Sequence, residues 1–383
     1  MSGLTIRYHE HYPSTSGCND WMERMFGQRL RLARKRAGLS MRALAERLTP
    51  TITAQSVSKY ETGKMMPSSS VLLALGKALD VSLDFLMGSQ VEALDGLEFR
   101  KHSTTSARDR ARVEAILIDK LERYLAIEAI LDMPVNLDWL GSFRCDRVAT
   151  EAEIDSRADA LREAWGLGVG PIPSLCELLE EKGIKVIEDD LPERVTGLAC
   201  RGFRGDEPVS EAVVVSRRIN VERKRFALAH ELARRIIRST GNPAISLKSA
   251  MHRFAGAFLI PSERLGLEAG IRRSRITRYE IVRLKQLYGV SAAAMLIRLG
   301  QVGILAPASV RRAFATFARP WRKEEPEPTG PNEGFAALEA PSRFERLVSR
   351  ALGEELISPA RAAALLEQSL DFVERQVVGR VPL

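Results

Sequence analysis

The stretch from Leu39 to Gly88, LSMRALAERLTPTITAQSVSKYETGKMMPSSSVLLALGKALDVSLDFLMG, divides into short helical segments separated by capping residues. Ser40 is placed to cap MRALAERL, and TPTIT, with Pro50, interrupts the chain after it. Thr53 can cap a further helix, AQSVSKYETG, which Gly63 ends. Ser68 to Ser70 offer caps for VLLALGKAL, and VSLDFLMG supplies a last short helix. Before this stretch, FGQRLRLARKRAG carries apolar residues at Phe26, Leu30, Ala33 and Ala37, spaced three or four apart as on one helix face, and Gly38 closes it.

Charge follows the same stretch. The formal net charge of the 383-residue chain is +8. Between Met22 and Lys64 ten Lys and Arg stand against three Glu, a net +7 that leaves +1 for the remainder. Positive charge gathered on one small helical segment is an electrostatic footprint for a phosphate backbone. Five short helices with the basic residues on the first three fit the helix-turn-helix plan, whose second helix crosses the DNA backbone and whose third enters the major groove. The third helix begins with small polar residues, which suits close approach to base edges. The candidate DNA contacts are Arg42, Thr53, Gln55, Ser56, Ser58 and Lys59. Gln55 can read adenine bidentately, Ser56 and Ser58 can bond bases or phosphates, and Arg42 and Lys59 are placed for phosphates.

The motifs LSMRALAERL, SVSKYETG, the following Pro67 and VSLDFL resemble the Cro/C1-type (XRE) repressor family. The segment between LAERL and SVSKYE is about two residues longer than the family pattern, which bears on the base-reading positions and not on the fold. The resemblance implies an all-α DNA-binding domain. A homodimer on a palindromic operator is the expected assembly, since two half-sites one helical turn apart give register and affinity.

At this length two or three domains are expected. ARDRARVEAILIDKLERYLAIEAIL, with apolar Val113, Ile116, Leu117, Leu121 and Leu125, reads as a connecting or dimerising helix, or as an amphipathic helix packed on the next domain. From Ile154 the pattern changes: SRADALREAWG, then SLCELLEEKG bounded by Pro173 and Gly183, then the strand IKVIE. VTGLACRGF and EAVVVS follow, split by the turn-prone RGDEP, and VERKRFALAHELARRIIRS makes a strong helix. This order suggests helices on one face of a small sheet.

That last helix contains His230-Glu231-Leu232-Ala233-Arg234. A zinc peptidase would carry HExxH there: residues i and i+4 project from one face and share the metal, while the Glu serves as general base. Arg234 takes the place of the second His, and a guanidinium has no lone pair to offer. IPSLCELLEEKGIKVIE, RFALAHEL and HRFAGAFLIPSE resemble the ImmA/IrrE metallopeptidase family over roughly residues 154–305. The resemblance implies an acidic third ligand, and by register that position falls on Lys248; residues 239–262 hold no Asp or Glu. The expectation is a disarmed pocket of His230, Glu231, Arg234 and Lys248, in which Arg234 or Lys248 pairs with Glu231, with no metal and no cofactor. The alternative is an active zinc peptidase with a rebuilt site using His230, His252 and a carboxylate from elsewhere.

The fold expected is therefore multidomain: an all-α helix-turn-helix domain, an α+β zincin-like domain and a helical C-terminal tail. The boundaries are an extension over 1–25, the XRE-type domain over 26–90, a helical connector over 91–153, the peptidase-like domain over 154–305, and a linker with a helical module over 306–383. PWRKEEPEPTGPNEG reads as a flexible connection. Ser358-Pro359 opens a helix in the tail. Proteins resembling this fusion often serve as regulators or antitoxins, which would add a toxin protein as partner. Four scattered cysteines, without a CxxC pair, indicate neither a zinc ribbon nor disulfides. With no signal peptide and no long apolar run, a cytoplasmic protein without membrane contact is expected.

Overall fold

Hydroxyl caps start most of the helices where the sequence pattern places them. In the computed structural model, residues 15–88, 90–97, 106–133, 138–193, 195–330 and 332–377 are described, so most of the N-terminal extension lies outside them. The chain forms two compact units. The first comprises Met1–Leu94, Thr104–Leu125 and Gly202–Val209; the second comprises Asp95–Ser103, Ala126–Arg201 and Ser210–Leu383.

The first unit is built from α1 (Thr15–Ala37), α2 (Met41–Arg47), α3 (Ala54–Glu61), α4 (Ser69–Leu79), α5 (Leu83–Met87) and α6 (Ala107–Ile130) as far as Leu125. Ser40, Thr53 and Ser82 accept from the backbone N–H three residues ahead, satisfying orphan donors at the starts of α2, α3 and α5. Phe26, Leu30, Leu44, Val57, Leu75 and Leu86 are almost fully buried and form its core. α1 meets the C-terminal end of α3 so closely that a Cβ at Gly27 would stand 2.6 Å from the Tyr60 carbonyl oxygen.

The connector helix α6 is not a free rod. Glu122 is buried, pairs with Arg29 of α1 at 2.5 Å, and accepts from the N–H groups of Gln90 (3.2 Å) and Val91 (3.0 Å). Arg29, only 2% exposed, also donates to the carbonyls of Phe85 and Val91. The helix read as a connector or dimerising element thus belongs, through residue 125, to the core of the first unit.

The second unit contains α7 (Asp138–Phe143), α8 (Glu151–Ala164), α9 (Leu175–Glu181), β2 (Ile184–Asp189), α10 (Val221–Ile236), α11 (Leu247–Leu259) and α12 (Ser262–Ala269). α13 (Arg278–Tyr288), α14 (Ala292–Gln301), α15 (Pro307–Ala315) and α16 to α19 (Phe335–Leu338, Arg343–Gly353, Pro359–Leu366 and Leu370–Val377) follow. With β1 (Ala93–Asp95), β3 (Gly197–Arg204) and β4 (Glu207–Ser216), the sheet has the order β1-β3-β4-β2. β3 and β4 are joined by two residues, as only an antiparallel hairpin allows, whereas β2 runs parallel to β4 with Val186 opposite Val213. The expected hairpin and α+β order are present. Leu161, Leu179, Val213, Leu228, Leu232, Phe254, Phe258 and Leu296 form one continuous core. Cys145, Cys176 and Cys200 are buried free thiols. Among the described residues no helix is long and apolar enough to cross a membrane.

The Pro/Glu-rich stretch from Pro320 to Gly334 differs from the flexible connection its composition suggests. Trp321 is buried in the core. Glu325 accepts from the Ala292 N–H at 2.8 Å and pairs with buried Lys285 at 3.2 Å, while the N–H and hydroxyl of Thr329 bond Glu222. Beyond it, Glu339 is fully buried against Arg225 of α10. The reason is electrostatic: helices of this unit bury cations, and the carboxylates of the following segment neutralise them. The expected helical module at 306–383 accordingly continues the second unit.

Candidate DNA interface and peptidase-like pocket

α3 presents its functional side chains because its other face is anchored. Val57 and Tyr60 are buried. Glu61, at its end, is held by Arg34 of α1 through a two-pronged ion pair, 2.8 Å at its second contact. On the opposite face Gln55 and Lys59, one turn apart, are both exposed. Thr53 is the N-cap, and its oxygen accepts from the Ser56 N–H at 3.0 Å. The Ser56 hydroxyl lies 3.0 Å from that of Thr53, so these two of the six expected contacts serve the cap. Ser58 is half-buried. On α2, Arg42 is 85% exposed in its side chain and makes an i,i+4 pair with Glu46 at 2.9 Å, a weak and readily exchanged contact.

Among the ten cations counted in this segment, Arg29 and Arg34 have structural duties. Arg29 is locked to Glu122, and Arg34 binds Glu61 and the Leu39 carbonyl (2.8 Å). Their partners lie outside their own helix, so helix periodicity cannot separate them from the exposed cations.

The pocket is built by α10 and α11. Asn220 caps α10, whose buried face includes Leu228, Leu232 and Ile236. Glu231 is on the buried side, 4% exposed. Arg234, one turn on, donates from Nε to Glu231 Oε2 at 2.9 Å. Of the two cations considered for this carboxylate, Arg234 therefore makes the pair; Lys248 is exposed in the first turn of α11. A Cβ at Gly197 of β3 would touch the Glu231 Cγ (3.4 Å) and the Ala227 Cβ (3.5 Å), so the strand passes directly over this carboxylate. Sequence reasoning missed Gly197; a glycine opening a strand is a signal for close backbone approach.

His230 and His252 come together from the two helices. Their ring centroids are 4.7 Å apart and edge to face, with Phe226 on the far side of His252 at 5.6 Å. The site therefore gathers two imidazoles, one carboxylate and the guanidinium bonded to it. Among the described residues no group of three or more His, Cys, Asp or Glu is arranged to hold a metal ion.

Comparison with known proteins places families on both regions. Residues 30–86 match the helix-turn-helix family model, and residues 179–300 match the model of the IrrE N-terminal-like domain. The SPbeta prophage-derived HTH-type transcriptional regulator YonR of Bacillus subtilis (strain 168) is 43% identical over 63 residues, 16% of this chain. The chain spans about half the length of that curated relative, 56% of it. No solved structure matches the chain. Two family models, each seated on one of the two constellations built above, identify the chain as one that carries a helix-turn-helix domain followed by an IrrE N-terminal-like domain.

Proposed function

We propose that this protein is a sequence-specific DNA-binding transcriptional regulator whose peptidase-like pocket is catalytically silent. The observation that carries the first part is the exposed Gln55–Lys59 face of α3, fixed from behind by Val57, Tyr60 and the Arg34–Glu61 pair. Gln55 reads a base edge in the major groove, with Ser58 beside it, and Lys59 and Arg42 hold phosphates. Thr53 and Ser56 shape the start of the helix. The relative in Bacillus subtilis, named as a transcriptional regulator, supports the same reading. The protein acts as a repressor and as a homodimer on two half-sites.

Silence of the pocket is supported by its donor set. Zinc sites of this class use three protein ligands. Here Arg234 takes up Glu231, and among the described residues the remaining donors at this site are the His230 and His252 imidazoles. These residues do not fit a zinc ion, and a guanidinium this near repels one. No hydrolytic step is assigned to this pocket. The domain serves instead to sense a signal or hold a partner, a toxin protein in the antitoxin version of this reading.

The test is selection of binding sites from a random duplex pool, followed by affinity measurement on the winning sequence. Gln55→Ala should lose about 1–3 kcal/mol, roughly 5- to 150-fold, and relax preference at one base position. Lys59→Ala should weaken all sequences alike and lower the salt slope by about 1. Failure to enrich any sequence would remove the regulator reading.

A further inference from the structure

A second basic segment lies outside the helix-turn-helix domain. Between Ala269 and Lys323 twelve Lys and Arg stand against a single acid, Glu280. This excess exceeds that of Met22–Lys64, and the acidic remainder of the chain hides it in the total. Among the described residues three of the twelve pair with carboxylates: buried Lys285 with Glu222 (3.1 Å), buried Arg298 with Asp155 (3.1 Å), and Arg273 with Glu280 (2.7 Å). Arg272, Arg275, Arg278 and Arg283 on the loop and α13, and Arg311 and Arg312 on α15, are exposed. No carboxylate among the described residues is within ion-pair distance of any of the six. Arg319 and Lys323, also exposed, extend the set.

Arg273 ties these pieces together. Its N–H donates to the Ile304 carbonyl at 2.7 Å, so the loop before α13 lies beside the start of α15. Its side chain reaches Glu280 in the first turn of α13. Within this charge stand two strongly exposed side chains, Ile271 at 87% and Tyr279 at 70%. The acids beside the loop in sequence, Glu268 and Glu280, are themselves paired with Arg264 and Arg273.

Such an assembly of unneutralised guanidinium groups repels itself until an anion shares it. The exposed groups are spread over a loop and two helices between residues 272 and 312, so the matching ligand is an extended polyanion. Arginine bonds phosphate oxygens in a fixed fork, and the Tyr279 hydroxyl adds a donor. We propose that this surface binds the phosphate backbone of duplex DNA, without reading sequence and separately from α3. The proposal rests on the reading of the chain as a DNA-binding protein, and its test keeps the two apart.

The full chain is compared in three forms: wild type, Gln55→Ala/Lys59→Ala, and Arg272→Gln/Arg275→Gln/Arg278→Gln. Fluorescence anisotropy reads binding to a random-sequence duplex across a salt series, and circular dichroism melting confirms that the exposed substitutions leave the fold intact. Each phosphate no longer neutralised should reduce the slope of log K against log salt by about 0.9, so the three-arginine variant should drop by up to about 3. The Gln55→Ala/Lys59→Ala protein should keep most of its binding to random DNA. An unchanged slope in the three-arginine variant overturns the proposal. So does a loss confined to phosphatidylserine vesicles, with DNA binding intact, which would make this a membrane-facing surface. If the wild type selects no operator while the three-arginine effect persists, the sequence-reading role fails and this surface stands.

Discussion

Replacing Glu339 with Ala removes the anion from a fully closed site. The carboxylate and its partner Arg225 are both 0% exposed in their side chains. It also accepts from the N–H groups of Leu175 (3.2 Å) and Cys176 (2.6 Å) at the start of α9, and Phe335 lies over the guanidinium at 4.3 Å. Breaking a buried pair by removing one partner costs about 3–5 kcal/mol, because the other charge is left buried. The two orphaned amides lie within the same site, so their cost of about 1–3 kcal/mol each overlaps that figure and does not simply add. A loss of about 4 kcal/mol in a unit this large corresponds to roughly 8–16 °C in melting temperature. Differential scanning calorimetry of the full chain reads it, and Glu339→Gln, which keeps one acceptor without the charge, should fall between. Pairing Glu339→Leu with Arg225→Met should recover much of the loss, since a packed apolar pair replaces an ionic one. A shift under about 2 °C for Glu339→Ala would mean the Glu339–Arg225 pair contributes little to the unit's stability, and the electrostatic account of the C-terminal stretch would fail with it.

Gly27→Ala should destabilise the first unit by about 1–3 kcal/mol, the range for overpacking, because the added methyl meets the Tyr60 and Glu61 carbonyl oxygens; thermal melting reads the loss and operator affinity should fall with it. Burial pushes the Glu180 carboxyl up to about 7. An acid raised in the folded state holds its proton there while the unfolded chain releases it, so stability falls as pH rises from about 4.5 to 7, by about 3 kcal/mol. Glu180→Gln should therefore raise the melting temperature at pH 8 and leave it nearly unchanged near pH 4; an equal gain at both would contradict the assignment. Arg234→His with Lys248→Glu should gain zinc by plasma mass spectrometry where the wild type holds none, and stoichiometric zinc in the wild type would overturn the silent-pocket reading.

Legibility in the sequence followed the range of each interaction. Ser40, Thr53 and Gly38 act within their own turns, so local spacing exposed them, and the structure carries the caps on α2 and α3. The Glu231–Arg234 pair was equally readable, being three residues apart on one helix. Arg29 was not: it looks like any member of a basic helix, and its partner Glu122 is 93 residues away. Glu325 failed for the same reason, since a Pro/Glu-rich composition reads as solvated until the buried Lys285 is seen beneath it, and Glu339, just past that stretch, has its partner Arg225 114 residues away. The second basic segment was concealed differently, by summation, because an acidic remainder cancels it. A running charge window along the chain would have found it.

Under the proposed silent reading, Arg234 also accounts for the retention of Glu231. A carboxylate 4% exposed beneath a strand is costly to bury without a cation beside it. In a zinc peptidase the nearby metal contributes positive charge, and losing it leaves the buried carboxylate less compensated. Here the charge is covalent, carried on the next turn of the same helix at 2.9 Å, so it cannot be lost by chelation or dilution. Substituting the second ligand position with Arg thus does two things at once: it removes a metal donor and supplies the positive charge the remaining carboxylate needs. Ala at 234 would do only the first. On the proposed silent reading, the Glu231–Arg234 pair lets α10 keep its buried carboxylate without a metal, and the domain can be kept for binding.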